Sequence, residues 1–161
     1  MQKQGPLLAV RAFPDPAARP SRLPPVTQAV VSAALGLSFI TGIAIWWWQV
    51  RQQTDVPAPA WYRPAVLVHG ILFPVQCGIF GWLACQHFRI SWELRANLVS
   101  GFLMEGVFLG LIISSVGLYY AGETEWRDHW ILTHRILGVV LPVALAAHWM
   151  AGLRWAGKNS K

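Results

Sequence analysis

Four histidines in two apolar segments have the spacing of axial metal ligands on helices. His134 and His148 lie fourteen residues apart in HRILGVVLPVALAAH, and His69 and His87 lie eighteen residues apart in an earlier segment. Fourteen helical residues rise roughly 21 Å and return to within about 40° of one face, and eighteen rise roughly 27 Å over about five turns. Neutral imidazole binds haem iron well, and two such ligands favour electron transfer over oxygen binding. The spacing therefore predicts two haems stacked across a membrane.

The composition predicts the elements that carry these histidines. Apolar residues make up 55% of the 161-residue chain and charged residues only 12%, with a mean hydropathy of +0.41. Four apolar stretches are long enough to span a bilayer, at about 27–48, 64–86, 97–120 and 130–153. Because the connections are short, we predict one all-α domain over 27–157, an integral membrane four-helix bundle.

Basic residues predict the orientation of the bundle. Nine of the thirteen Lys and Arg residues lie in the proline-rich tail 1–26, the loop 87–96 or near the C-terminus, which ends in a short tail at 158–161. The positive-inside bias then places both termini in the cytoplasm and the loops 49–63 and 121–129 outside. This topology accounts for the net charge of +6, so the charge gives no support to nucleic-acid binding. The N-terminal tail is either disordered or an arm laid along a partner subunit.

The chain repeats itself, and the repeat pairs the histidines by depth. Each half has a histidine-free helix followed by a helix with an early and a late histidine. HGILFPVQCGIFGWLACQH resembles HRILGVVLPVALAAH, with roughly one extra turn between the histidines. Two parallel repeats place His69 at the depth of His134, as an outer site. They place His87 at the depth of His148, as an inner site.

Other polar groups in or beside the spans have both a functional and a structural interpretation. Arg135 and Arg63 are candidates to pair with haem propionates, or to extend to the lipid headgroups. Glu105, inside the third span, is a candidate proton acceptor at a quinone site, a proton path or a haem-adjacent charge, or else a neutral acid bonded to the backbone. His129 in the outer loop is a surface residue, or a ligand if the register shifts.

Glycines and cysteines are less informative. The glycines of the first and third spans leave room for a flat ring, although close helix packing also accounts for them. Cys77 and Cys85 form no CxxC motif, which excludes c-type haem attachment and a thiol–disulfide motif.

The fourth span resembles that of the bacterial cytochrome b561-like proteins and of the related b-type anchor subunits of respiratory hydrogenases and dehydrogenases. The HRILG start, the thirteen-residue gap and His148 carry the resemblance, which covers about 125–153. The family has four core helices, binds two b haems and exchanges electrons with quinones. The resemblance implies haem b, quinone, other subunits of a membrane redox complex, a periplasmic or cytoplasmic electron-transfer partner, and the bacterial inner membrane.

One departure from the family concerns the inner site. The family usually places another ligand in the first helix, and this first helix has no histidine. Either His87 replaces that ligand, or the chain is a mono-haem variant that uses only His69 and His134.

The sequence therefore predicts a b-type cytochrome that relays electrons across the bilayer, as an electron-transfer subunit rather than a stand-alone enzyme. The alternative is a non-redox accessory subunit of a larger membrane complex. In that case the histidines would serve as hydrogen-bonding groups between helices.

Overall fold

The computed structural model describes residues 23–52, 56–93, 95, 97–122 and 125–158, and this part of the chain is helical with no strands. The predictions for the N-terminal tail fall mostly on residues outside these ranges. The helices are α1 (Pro25–Arg51), α2 (Tyr62–Leu83), a π-helical turn (Ala84–Phe88), α3 (Arg89–Glu93), α4 (Leu98–Tyr120) and α5 (Glu125–Lys158).

Four of these helical segments are long and apolar enough to cross a membrane, which confirms the predicted multi-pass helical architecture. They are Pro25–Arg51, Tyr62–Glu93, Leu98–Tyr120 and Glu125–Arg154. In the second segment, α2, the π-helical turn and α3 follow one another without a break.

The helix ends follow local chemistry. Pro25 occupies the first turn of α1, where its missing N–H is not needed. Before α4, Arg95 and Asn97 have φ of 50° and 52°, so the chain reverses through two left-handed residues. After α4, Gly122 adopts φ 57°, a conformation that favours glycine at a helix C-terminus.

The bundle is built from two helix pairs, α1 with α2 and α4 with α5. Glycines permit close approach in the second pair: a Cβ at Gly110 would lie 2.9 Å from Leu137, and one at Gly117 would overlap the Trp130 indole. The buried core is small, and many large apolar side chains point outward, as expected of helices that face lipid. Its members are Val31, Leu35, Val107, Phe108, Leu141 and Ala144.

Two segments predicted to be loops are largely helical. Within the predicted outer loop 121–129, α5 begins at Glu125, so His129 lies in this helix and not in a loop. The loop was predicted because the segment is polar. Its acidic residues Glu125 and Asp128 lie in the first turn of α5, where negative charge stabilises a helix N-terminus. In the predicted inner loop 87–96, the π-helical turn and α3 continue the second helix to Glu93.

Candidate cofactor-binding site

The fold brings together the two histidine pairs that the repeat predicts. The rings of His69 and His134 have centroids 6.1 Å apart and planes inclined at 86°. The rings of His87 and His148 have centroids 6.0 Å apart and planes inclined at 84°. When two imidazoles bind one metal from opposite sides, each metal–nitrogen bond is about 2 Å long. Adding the distance from each bound nitrogen to the centre of its ring separates the two ring centroids by about 6 Å. Both pairs therefore have the separation that one shared metal requires.

The rings of both pairs lie at the same separation, although the second helix has more residues between its two histidines than α5 has. His69 and His87 are separated by four more residues than His134 and His148, which is about 6 Å of extra helix rise. The second helix is irregular along this path: Pro74 removes a backbone donor, and the π-helical turn that carries His87 holds five residues. Because α5 also has a proline between its histidines, Pro142, the π-helical turn is the feature that distinguishes the path through α2.

Hydroxyl groups on the neighbouring helix hold three of the four histidines. In each case the Nδ1 atom lies within hydrogen-bond distance of a serine or threonine oxygen. The contacts are His69 with Thr41 at 3.0 Å, His134 with Ser114 at 3.0 Å, and His148 with Ser100 at 3.1 Å. The sequence interpretation missed these hydroxyls, although Ser100 and Ser114 have the same fourteen-residue spacing as His134 and His148.

The hydroxyl contacts favour one tautomer of each ring. Thr41 lies within donating distance of the Leu37 carbonyl at 2.7 Å, and Ser114 of the Leu111 carbonyl at 3.0 Å. Ser100 likewise lies 3.2 Å from a backbone carbonyl. A hydroxyl that gives its one proton to the carbonyl accepts from the imidazole, and this arrangement favours hydrogen on Nδ1. Nε2 is then the nitrogen with the free lone pair, which is what a metal ligand needs.

For His69, His134 and His148, the hydroxyl contacts within the described part of the chain all involve Nδ1 and leave Nε2 free of them. No Nε2 atom of these rings is both fully enclosed and without a partner. The three lone pairs are therefore available to a ligand.

A cavity of about 1240 Å³ lies beside the outer pair, between α1, α2, α4 and α5, and both His69 and His134 line it. Gly42 also lines it, and a Cβ there would lie only 3.1 Å from Cε1 of His69. A Cβ at Gly70 or Gly138 would meet nothing within 4 Å, so these two glycines leave open space in the wall. The cavity thus combines facing imidazoles with room for a planar group.

The ligand count favours a macrocycle over a bare ion. Within the described residues, no group of three or more His, Cys, Asp or Glu side chains could hold a metal. A bare zinc ion takes at least three protein ligands, whereas haem brings four equatorial nitrogens of its own. Each pair of imidazoles supplies the two protein ligands that a six-coordinate haem requires.

Cationic groups lie at the outer end of the cavity. Arg135 and Arg127 both line it. The Arg135 guanidinium donates to Gln49 at 2.8 Å and lies 5.6 Å from the centre of the Trp46 ring. Arg63, the other candidate propionate partner, is exposed and does not line the cavity. The sequence did not single out Arg127 as a candidate for this site.

Glu105 is half-buried on α4. Phenylalanines three residues before and after it pack against the second helix. The ring centroids of Phe102 and Phe88 lie 5.2 Å apart. Those of Phe108 and Phe80 lie 5.4 Å apart. Glu105 therefore lies at the seam between α4 and the end of α2 with its π-helical turn. Its carboxyl makes no hydrogen bond or ion pair with any residue that the structure describes.

The fifth histidine and the cysteines lie apart from these pairings. The Nδ1 atom of His129 is 3.0 Å from the Glu125 carbonyl, and its ring contacts Trp126. His129 is exposed, and both of these contacts lie within its own helix. Cys77 and Cys85 are free thiols.

No family model, no curated protein and no solved structure matches this chain. The interpretation of the site therefore rests on its residues and their geometry.

Proposed function

We propose that this chain is a membrane b-type cytochrome that holds two haems, each between two histidines. His69 and His134 would hold one haem, and His87 and His148 the other. The observation that carries the proposal is the recurrence of one geometry, a pair of imidazoles with centroids about 6 Å apart, at two levels of one bundle.

Haem, when bound, supplies a one-electron change between ferric and ferrous iron. The residues of this chain would hold and orient it. With two imidazoles at each site to hold the iron, the sites would suit electron transfer and not oxygen activation. The hydroxyls of Thr41, Ser114 and Ser100 would orient the ligand imidazoles through Nδ1.

The two levels suit transport of electrons across a bilayer. Along α5 the ligands lie fourteen residues, or roughly 21 Å, apart, a large part of the thickness of the hydrocarbon core. With both termini in the cytoplasm of a bacterial cell, the His69–His134 site would lie nearer the periplasm.

The proposed role is a relay between a partner redox protein and a quinone or a second partner. The chain has little mass outside the spans, so soluble substrates would be oxidised or reduced by other subunits. Glu105, an unpaired acid within a span, is the residue that we propose to exchange protons with quinone. Arg135 and Arg127, which line the cavity beside His69 and His134, would pair with the propionates of the haem proposed there.

The test is haem stoichiometry in the detergent-purified protein. A dithionite-reduced minus oxidised spectrum and a pyridine haemochrome assay should give a b-type signal with two haems per chain. His69→Ala and His87→Ala should each remove one haem. His129→Ala is the matched control, because this histidine is exposed and held within its own helix, and it should retain both.

Two other results would favour the alternatives. One haem in the wild type, retained in His87→Ala and lost in His69→Ala, would establish the mono-haem variant. No haem in protein produced together with its native partners would refute the cytochrome and favour the accessory subunit.

A further inference from the structure

Gln76 is a buried polar residue that the ligand geometry does not explain. It lies on α2, seven residues after His69, and is only 8% exposed. Seven helical residues return to nearly the same face after roughly 10 Å, so Gln76 follows His69 on one side of the helix. It also lines the cavity beside the outer histidine pair.

One end of the Gln76 amide is bound and the other is not. Nε2 donates to Ser38 Oγ at 3.0 Å, whereas Oε1 is fully enclosed and has no hydrogen-bond partner. A buried acceptor left without a donor is unfavourable by about 1–3 kcal/mol. Such a group is retained for a reason, and a redox role is one of the established reasons.

The amide binds α1 one turn before the hydroxyl that contacts a proposed iron ligand. Gln76 donates to the Ser38 hydroxyl, and three residues later the Thr41 oxygen lies 3.0 Å from Nδ1 of His69. This connection runs along α1 and α2 only. In the other half, Ser114 links His134 directly to the Leu111 carbonyl.

We propose that Gln76 is a positioning residue that sets the reduction potential of the outer haem. This inference rests on the proposed function. The ferric form carries one more positive charge than the ferrous form, and the enclosed, unpaired amide oxygen is the negative end of a dipole on a residue that lines the cavity. In a medium of low dielectric constant this dipole would stabilise the ferric form and lower the potential. The same amide also binds the Ser38 hydroxyl, one turn before Thr41 on α1.

The test is a redox titration of Gln76→Leu and Gln76→Glu, each in a His87→Ala background that retains only the outer haem. Leucine has a similar size and no oxygen, so the ratio of reduced to oxidised haem at a fixed potential should rise roughly two- to threefold. Glutamate keeps an oxygen at the position and should leave the ratio unchanged or lower it. Gln76→Leu in a His69→Ala background, which retains only the inner haem, should show no shift.

The outcomes separate this inference from the proposed function. An unchanged or lowered ratio in Gln76→Leu, or an equal shift of both haems, would overturn the role of Gln76 while leaving the cytochrome intact. If Gln76→Leu loses its haem, Gln76→Glu provides the test instead. A raised ratio of reduced to oxidised haem in Gln76→Glu would also overturn the proposed role of Gln76. A wild-type protein without haem would instead refute the proposed function.

Discussion

Replacing Ser114 by alanine should weaken the outer haem site without changing any ligand. Ser114 is completely buried, donates to the Leu111 carbonyl at 3.0 Å and accepts from Nδ1 of His134. Its neighbour Ser115 donates to the same carbonyl at 2.8 Å and makes no histidine contact. Ser115→Ala is therefore a control that removes the same atoms from the same helix.

The difference between the two variants isolates the contact with His134. Both lose one hydrogen bond to a backbone carbonyl, but only Ser114→Ala leaves a buried imidazole N–H without an acceptor. That penalty is about 1–3 kcal/mol. At a factor of ten for each 1.4 kcal/mol, haem should bind the outer site roughly 5- to 150-fold more weakly. The range agrees with the roughly 10- to 100-fold effect of removing an outer partner of a metal-bound histidine.

Haem titration into the apo-protein in detergent measures this difference. A His87→Ala background, in which only the outer site binds, gives one dissociation constant for each serine variant. Ser115→Ala should bind within about twofold of its parent. Equal affinities for the two serine variants would refute the assignment of His134 as a ligand with hydrogen on Nδ1.

Three further predictions follow from the packing and from Glu105 on α4. Gly42→Val should displace the His69 ring and abolish the outer haem, whereas Gly36→Val, at a position with open space, should retain both, as measured by haemochrome stoichiometry. Gly117→Ala should destabilise the α4–α5 pair by about 1–3 kcal/mol, because the added carbon overlaps an indole, and a melting midpoint equal to that of the wild type would contradict this. Glu105→Gln should keep two haems but slow their reduction by a quinol analogue roughly 100-fold, and an unchanged rate would exclude this residue as the proton acceptor.

The membrane architecture could be predicted from the sequence because it depends on long-range composition. An apolar segment of spanning length forms a helix in lipid, because its backbone polar groups must bond to each other. Short connections then place helices that follow one another in the chain side by side. The helix ends were predicted less well. Interfacial segments such as 125–129 are polar, and polarity in a sequence does not distinguish a loop from a helix that extends into water.

The pairing of the histidines was predictable because it follows from the repeat and the chain direction. The path of α2 was not, since a π-helical turn has no period of its own in the sequence. Serine and threonine are common in membrane helices for packing alone, which made Thr41 and Ser114 inconspicuous. Gln76 was likewise missed, because a single amide in an apolar stretch has no pattern to mark it.

The state of the imidazole nitrogens separates the two functions more sharply than the spacing of the histidines. A histidine that only joins helices needs a partner for each nitrogen, because both are polar and the surrounding helices are apolar. His69, His134 and His148 have that partner at Nδ1, where a hydroxyl accepts the hydrogen. At Nε2 they have no hydrogen bond within the described residues, and in each pair the facing imidazole is too distant for a direct one, with centroids about 6 Å apart. A role in joining helices does not account for three imidazoles whose hydroxyl contacts all involve Nδ1 and leave Nε2 free of them. A metal between the rings would bind these Nε2 atoms, and for this reason we favour the cytochrome.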